Sequence, residues 1–403
     1  MKQNFNSKEL VKYLKKGELI RNELEKEDVI IDINDIESKI LQETFEFNIL
    51  DSHEYYHVKD LSEKLILRKL NDNIKRIYKD EQANRKFIIQ QVKTLLNENA
   101  PFWIIKTDIK SFYESIDRNK ILKKIKDDAM LSYYSIHLLK KIFDNELISN
   151  HSGLPRGLNI SSTLSEIYLR KFDKWVNNFS GVYFYARFVD DIIIFLSNKE
   201  NANDLYNSLE TNLMEICSLE INEDKTELID GSTFKIILKK NTKKFLHNNI
   251  EYLGYKFYLE SSSKNNKTVK ISIADKKVKK IKTRITRSFL DFIKNKDFNL
   301  LDKRIKFLTG NYGIRKNNDG SVLKAGIFYN YTHLDNEEIL IELNKYLRKI
   351  IFSQNRSFGN KLYPLLNNAQ RDILKKYCFK TGFKKKTYNS FSFKTMREII
   401  KCW

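Results

Sequence analysis

The chain has little of what marks disulfide-bonded or zinc-built proteins: three cysteines, Cys217, Cys378 and Cys402, in 403 residues. They are too few and too widely spaced for a disulfide framework or a tetrahedral zinc site, and a reducing cytoplasm is the expected compartment. Only 3 prolines and 12 glycines occur. Linker-like sequence is therefore scarce, and domain limits must be read from changes of hydrophobic period. No apolar run nears the roughly 20 residues that cross a bilayer, so no membrane partner is expected. Met1 to Lys15 mixes charges among its apolar residues and lacks the apolar core of a signal peptide. No internal repeat is visible. His53, His57, His137, His151, His247 and His333 form no metal-ligand set.

What is abundant is positive charge: 73 Lys and Arg against 52 Asp and Glu, a formal +21. Such an excess calls for polyanionic company or a tolerance of self-repulsion. Nucleic acid is the leading partner on charge, although a coding bias toward Lys, Asn and Ile yields the same composition. With 41% hydrophobic residues, the length suffices for two or three subdomains around a sizeable core.

Along the chain, Lys8 to Phe47 has helical spacing, and Leu61 to Glu98 reads as helix, short break, helix. The latter carries Arg68, Lys69, Lys75, Arg76, Lys79, Arg85 and Lys86, a run that a solvated helix face also explains. Phe102 to Ile109 is rich in aromatic and β-branched residues and predicts a strand ending in Asp108. Tyr133 to Leu147 is helical. The turn-rich segment Gly153 to Gly157 leads into a helix over Ser161 to Val176, started by Ser and Thr. Gly181 to Leu196 predicts a strand hairpin with Asp190 and Asp191 at its tip; Leu205 to Ser218 is a helix and Tyr252 to Tyr258 a short strand. Past Ile271 the chain is basic and helical through about Ile351.

Adjacent acids at the tip of an apolar hairpin repel one another where little water solvates them. A cation relieves this, and an all-carboxylate donor set suits magnesium, which takes its remaining ligands from water and substrate phosphates. Two-metal phosphoryl chemistry uses one ion at the attacking 3′-hydroxyl and one at the departing pyrophosphate, which requires carboxylates on neighbouring strands. Asp108 and the Asp190-Asp191 pair would supply them. Taken alone, an Asp-Asp dipeptide reads more often as a solvated turn.

The surroundings are more specific. Lys106-Thr107-Asp108-Ile109-Lys110-Ser111-Phe112-Tyr113-Glu114-Ser115-Ile116 resembles the first catalytic motif of reverse transcriptases, and Leu154-Pro155-Arg156-Gly157-Leu158-Asn159-Ile160-Ser161 resembles their substrate-pocket motif. Phe188-Val189-Asp190-Asp191 resembles the hairpin box, Asn222-Glu223-Asp224-Lys225-Thr226 the motif after it, and Tyr252-Leu253-Gly254-Tyr255-Lys256-Phe257 the primer grip. These motifs stand in family order. Leu154-Pro155-Arg156-Gly157 with the following Ser161 to Glu166, and the stretch Asn73 to Tyr78, look most similar to bacterial defence-associated and abortive-infection reverse transcriptases.

The resemblance implies an α+β, right-hand polymerase fold with fingers, an antiparallel-sheet palm and a helical thumb. Residues 1–63 would be an N-terminal helical extension, 64–260 fingers and palm, 261–350 a basic helical thumb, and 351–403 a basic C-terminal region. It further implies Asp108, Asp190, Asp191 and the Ile109 carbonyl as ligands of two Mg2+ ions, with Mn2+ as a substitute, and Lys225 as the general acid on pyrophosphate. Tyr113 would exclude a 2′-hydroxyl, and Gly157 would let backbone approach the nucleotide. Arg156 would stack on the templating base or touch phosphate; a solvated Arg or a packed core Tyr is the plainer alternative. Lys75, Arg76 and Arg85 would clamp the triphosphate, and Tyr252, Gly254 and Tyr255 would support the primer end.

Implied partners are an RNA template, including a dedicated non-coding RNA, deoxynucleoside triphosphates, the DNA product, and a second polymerase or a second copy of the chain. The implied role is phage defence. The basic stretch Lys276 to Arg287 would track a duplex backbone, and Lys375 to Tyr388, basic and aromatic, suits stacking on single strands or a poorly packed tail. Untemplated or protein-primed synthesis by the same site is an alternative, as is an inactive RNA-binding module. A nuclease would also cluster carboxylates, but it does not predict Tyr113 or the Gly157 segment, and no second acidic cluster of ribonuclease H type is present.

Overall fold

The computed structural model describes residues 3–15, 17–22, 24–53, 55–79, 83–239, 249–260, 268–316 and 322–403. His247 and the expected limit at residue 261 lie outside them. The chain divides into two compact units: residues 1–88 with 99–247, and residues 89–98 with 248–403.

The first unit is built around the strand hairpin expected from sequence. Its N-terminal part holds helix α1 (Lys26–Leu41), a hairpin of β1 (Ile49–Asp51) and β2 (Tyr56–Val58), α2 (Leu61–Tyr78) and the start of α3 (Arg85–Leu96). Then come β3 (Trp103–Asp108), the one-turn helix α4 (Phe112–Ser115), α5 (Tyr133–Asp144), α6 (Asn159–Asn177), β4 (Val182–Phe188), β5 (Asp191–Leu196), α7 (Lys199–Cys217), β6 (Glu227–Asp230) and β7 (Lys235–Lys239). The five strands β3 to β7 form one sheet in the order β4-β5-β3-β6-β7, with every neighbouring pair antiparallel. Ile192, Ile194 and Leu196 of β5 are buried in one core with Leu164, Ile167 and Phe172 of α6 and Leu205, Leu209 and Leu213 of α7. Each such side chain contributes about 1.5–3 kcal/mol by leaving water. Phe5, Leu10, Val29, Ile33 and Ile40 belong to the same core, alongside Leu65, Leu70 and Ile74 of α2.

Two helices start earlier than their sequence signals suggested. The first residue of α6 is Asn159 and no side chain caps it; the Ser161 hydroxyl is engaged instead on the Pro155 carbonyl at 2.6 Å. Asn198 caps α7 by accepting from the Asn201 N–H at 2.8 Å, which carries the helix well N-terminal of Leu205.

The second unit contains a three-stranded antiparallel sheet of β8 (Asn249–Tyr252), β9 (Tyr255–Glu260) and β10 (Thr268–Ile273), with β9 central. What reads as one strand over Tyr252 to Tyr258 is thus a turn at Leu253-Gly254, both at positive φ (45° and 80°). The basic helix α8 (Asp275–Asn295) and α9 (Phe298–Thr309) follow as expected, but a hairpin of β11 (Asn311–Lys316) and β12 (Val322–Gly326) interrupts the helical run before α10 (Glu338–Ile351). Of the four aromatics in the C-terminal basic run, Tyr377, Phe379 and Phe383 pack within this unit, whereas Tyr388 is exposed. Phe379 is fully buried, Phe383 packs edge-on to Phe328 at 5.4 Å, and Tyr377 donates to Asp302 at 2.5 Å. They close the core of this unit because the segment folds into short helices, α11 (Asn368–Lys375), α12 (Phe379–Lys384) and α13 (Phe393–Ile400). Among the described residues no helix is long and apolar enough to cross a membrane.

Candidate active site

Asp108 is the last residue of β3, and the register pairs it directly with Asp191, the first residue of β5. Directly opposed side chains on antiparallel strands stand roughly 5 Å apart at Cβ, and like charges there destabilise the sheet. Asp190 occupies the turn between β4 and β5, and its carbonyl accepts from the Ile109 N–H at 3.1 Å. Burial, and after it the Asp108 charge, holds the Asp190 carboxyl above its ordinary range. Burial, then Asp190 and Asp108, pushes Asp191 up to about 6.

One cation partly compensates this cluster. The Lys225 ammonium lies 2.8 Å from Asp108 Oδ2. Burial opposes its charge, but Asp108, with Asp191 and Asp190 behind it, prevails and holds the ammonium above its usual value. Asn222 reinforces the arrangement: its N–H donates to the Asp108 carbonyl at 2.7 Å and its Nδ2 to Asp108 Oδ1 at 3.3 Å.

Asp108, Ile109, Tyr113, Arg156, Gly157, Asp190 and Lys225 line one cleft of about 600 Å³ in the first unit. Tyr113 sits on α4, half-buried; burial raises its phenol, opposed by a hydrogen bond with Ser165 of α6. Gly157 has φ of 99°, and a Cβ there would stand 2.4 Å from the Tyr56 carbonyl oxygen. Arg156 is ion-paired with Glu114, and its side chain remains exposed to solvent at the edge of the cleft.

Lys75, Arg76 and Arg85 are not in the lining of this cleft; Arg76 is exposed and pairs with Asp72 at 2.9 Å along α2. Tyr252, Gly254 and Tyr255 belong to the second unit, where Tyr252 and Tyr255 are buried in its sheet. Several lining residues had no expected role, among them Tyr55, Asn222 and Ser162. Asn222 lies inside a quoted motif, whereas nothing in the periodicity points to Tyr55.

Among the described residues no three His, Cys, Asp or Glu side chains stand as a ready-made metal cage. The donor set nevertheless fits magnesium, which binds through one or two carboxylates and leaves its other positions to water and substrate phosphate. The opposed Asp108 and Asp191 and the raised carboxyls of the turn are the electrostatic counterpart of such a site.

Residues 56–257 match the family model described as reverse transcriptase (RNA-dependent DNA polymerase). The chain belongs to the reverse transcriptase family. It has that family's α+β, right-hand polymerase fold, with the antiparallel sheet of β3 to β7 carrying the acids. Reverse transcriptases are nucleotidyltransferases, RNA-directed DNA polymerases that use divalent metal ions. No curated protein matches the chain significantly. Among solved structures it is similar to apo telomerase from Candida tropicalis truncated from its C-terminal domain, at 15% identity and a TM-score of 0.37 over 65% of this chain and 51% of that one. It is also similar to Candida albicans telomerase in complex with a fragment of telomeric RNA, at 12% identity and a TM-score of 0.35 over 77% and 56%. Apo telomerase from Candida tropicalis matches at 13% identity and a TM-score of 0.38 over 95% and 62%. The chain thus spans between about half and three-fifths of those telomerase chains.

Proposed function

We propose that this reverse transcriptase extends a primer 3′ end with deoxynucleotides copied from RNA, using the cleft between β3, the β4–β5 turn and α6. The observation that carries the reading is the convergence, from distant parts of the sequence, of Asp108 and Asp190 in one cleft with Tyr113 and Gly157, with Asp191 paired to Asp108 in the sheet. Asp108, Asp190 and Asp191 would hold the metal, with the Ile109 carbonyl as a further oxygen. Bound there, two Mg2+ ions, or Mn2+ in their place, would activate the 3′-hydroxyl and neutralise charge developing on pyrophosphate.

The chain's own side chains do the rest. The Tyr113 ring forms a floor for the sugar and leaves no room for a 2′-hydroxyl. The absent Cβ of Gly157 keeps the adjoining backbone against Tyr56 and open to the nucleotide. Lys225, charged and hydrogen-bonded to Asp108, is placed to deliver a proton to the leaving group. Lys75, Arg76 and Arg85 are proposed contacts to the triphosphate, and Tyr252, Gly254 and Tyr255 to the primer. Residues 261–350 are proposed as the thumb, following fingers and palm over 64–260. A role in bacterial antiviral defence, with a non-coding RNA, a second polymerase or a second copy as partner, follows from the motif resemblance.

Sequencing the product made with and without a defined RNA tests the function. A product complementary to the supplied RNA supports it; the same product in the absence of any nucleic acid would replace it with untemplated or protein-primed synthesis.

A further inference from the structure

The turn that carries Asp190 is held in a conformation its own sequence resists. Val189 has φ of 61°, the left-handed region that a β-branched side chain rarely enters, and such strain persists only where surrounding contacts over-determine it. On one side, the Asp190 carbonyl accepts from Ile109. On the other, the Val189 carbonyl accepts from Arg187 Nη1 at 3.0 Å.

Arg187 is a charged residue in an otherwise apolar stretch of β4, with its side chain only 4% exposed. Its Nε donates to Asp173 Oδ1 at 2.9 Å and Nη2 to Asp173 Oδ2 at 2.7 Å. Nη2 also donates to Glu166 Oε2 at 2.7 Å, and Nη1 to Glu166 Oε1 at 3.3 Å. With the bond to Val189, these five contacts match the five N–H donors of a guanidinium. Glu166 and Asp173 lie two turns apart on α6, hence on one face, and α6 also carries Ser165, the partner of Tyr113.

A carbonyl and the following N–H lie in one peptide plane and point in opposite directions. Anchoring the Val189 carbonyl therefore fixes the orientation of the peptide from which the Asp190 side chain departs. We propose that Arg187 is a positioning residue: it clamps the 189–190 peptide to α6 and so sets where the Asp190 carboxylate stands in the cleft. Stability alone is a weak reason for such a group, because buried ion triads can often be replaced by apolar side chains without loss. A lysine cannot substitute, since an ammonium lacks the planar fork that reaches two carboxylates and a backbone carbonyl together.

The inference rests on the polymerase reading, so the experiment measures primer extension on an annealed RNA template and DNA primer with Mg2+. Wild type, Arg187→Lys and Arg68→Lys are compared, with kcat per active-site-titrated molecule, KM for nucleotide, and the unfolding midpoint recorded for each. Arg68 is the control because it makes a similar partly buried fork, on Glu18 at 2.6 Å and the Tyr13 carbonyl at 3.0 Å, without touching the turn. Both variants lose thermal stability. Arg187→Lys alone loses about 100-fold in kcat, the scale of a 1 Å misplacement, while nucleotide KM shifts by less than about threefold, the pattern of a lost transition-state placement.

A kcat for Arg187→Lys within about threefold of wild type overturns the proposal, as does an equal kcat loss in Arg68→Lys. If Arg187→Lys does not fold, the triple variant Glu166→Gln, Asp173→Asn, Arg187→Met removes the clamp and leaves no buried charge unpaired. It must show the same kcat loss per titrated molecule, and full activity there refutes the clamp. A wild type that incorporates nothing instead sinks the polymerase reading, and this inference falls with it.

Discussion

Glu63 offers a sharp test of how the wall of the cleft is supported. It lies in the first turn of α2, 6% exposed. Its Oε1 accepts the Asn48 N–H at 3.0 Å, while Oε2 is buried with no hydrogen-bond partner among the described residues. Asn48 leads into the β1–β2 hairpin, whose Tyr56 N–H donates to the Arg156 carbonyl at 2.7 Å. Burial, against the opposing Asn48 bond, pushes the carboxyl from 4.5 up to about 7. At ~1.4 kcal/mol per pH unit this amounts to about 3 kcal/mol, and the helix N-terminus, which favours the anion, returns up to about 1 kcal/mol.

Because the folded chain holds this proton more tightly than the unfolded one, the contribution is fully present below pH 4.5 and is lost as pH rises through about 7. Glu63→Gln keeps the bond to Asn48 and removes the charge. At pH 8 the variant is therefore more stable than wild type by about 2–3 kcal/mol, or about 4–12 °C in the midpoint of the first unit. At pH 4.5 the difference shrinks toward zero. Thermal unfolding followed by the fluorescence of Trp103 and Trp175, both in the first unit, measures it. A gain that is equal at the two pH values, or no gain at pH 8, refutes the assignment of a buried, proton-holding Glu63.

Gly157→Ala sets a Cβ against the Tyr56 carbonyl in a left-handed conformation; a loss of roughly 1–3 kcal/mol in urea unfolding and a higher nucleotide KM are expected. Tyr113→Ala admits ribonucleotides, read as the ratio of ribo- to deoxynucleotide incorporation; unchanged discrimination removes Tyr113 from the sugar site. Lys225→Ala lowers kcat by about 10²–10⁴ if its proton reaches the pyrophosphate, whereas an unchanged kcat would leave it only the ion pair with Asp108.

Much of the first unit is legible in the sequence because its elements announce themselves locally. The β-branched run ending at Asp108 and the apolar arms around Asp190-Asp191 form adjacent antiparallel strands, and α2 and α3 appear with the expected break. Features that depend on tertiary pairing are not legible. The turn at Leu253-Gly254 hides in a continuous apolar run, the β11–β12 hairpin hides in a basic stretch of helical texture, and the burial of Phe379 is invisible beside so many lysines. At the site, composition could not show that Arg156 would meet Glu114. Arg187 left a trace, a lone charge in the apolar stretch Phe184 to Phe188, but its partners lie on another helix.

The central claim is that Asp108, Asp190 and Asp191 together perform metal-dependent nucleotidyl transfer. Incorporation of labelled deoxynucleotide onto a primed RNA template, by wild type and by Asp190→Ala at equal folded concentration with Mg2+, tests it most directly. The account predicts incorporation by wild type that chelation abolishes, and none above background by Asp190→Ala. Equal inactivity of the two proteins alongside tight RNA binding, or equal activity, contradicts it.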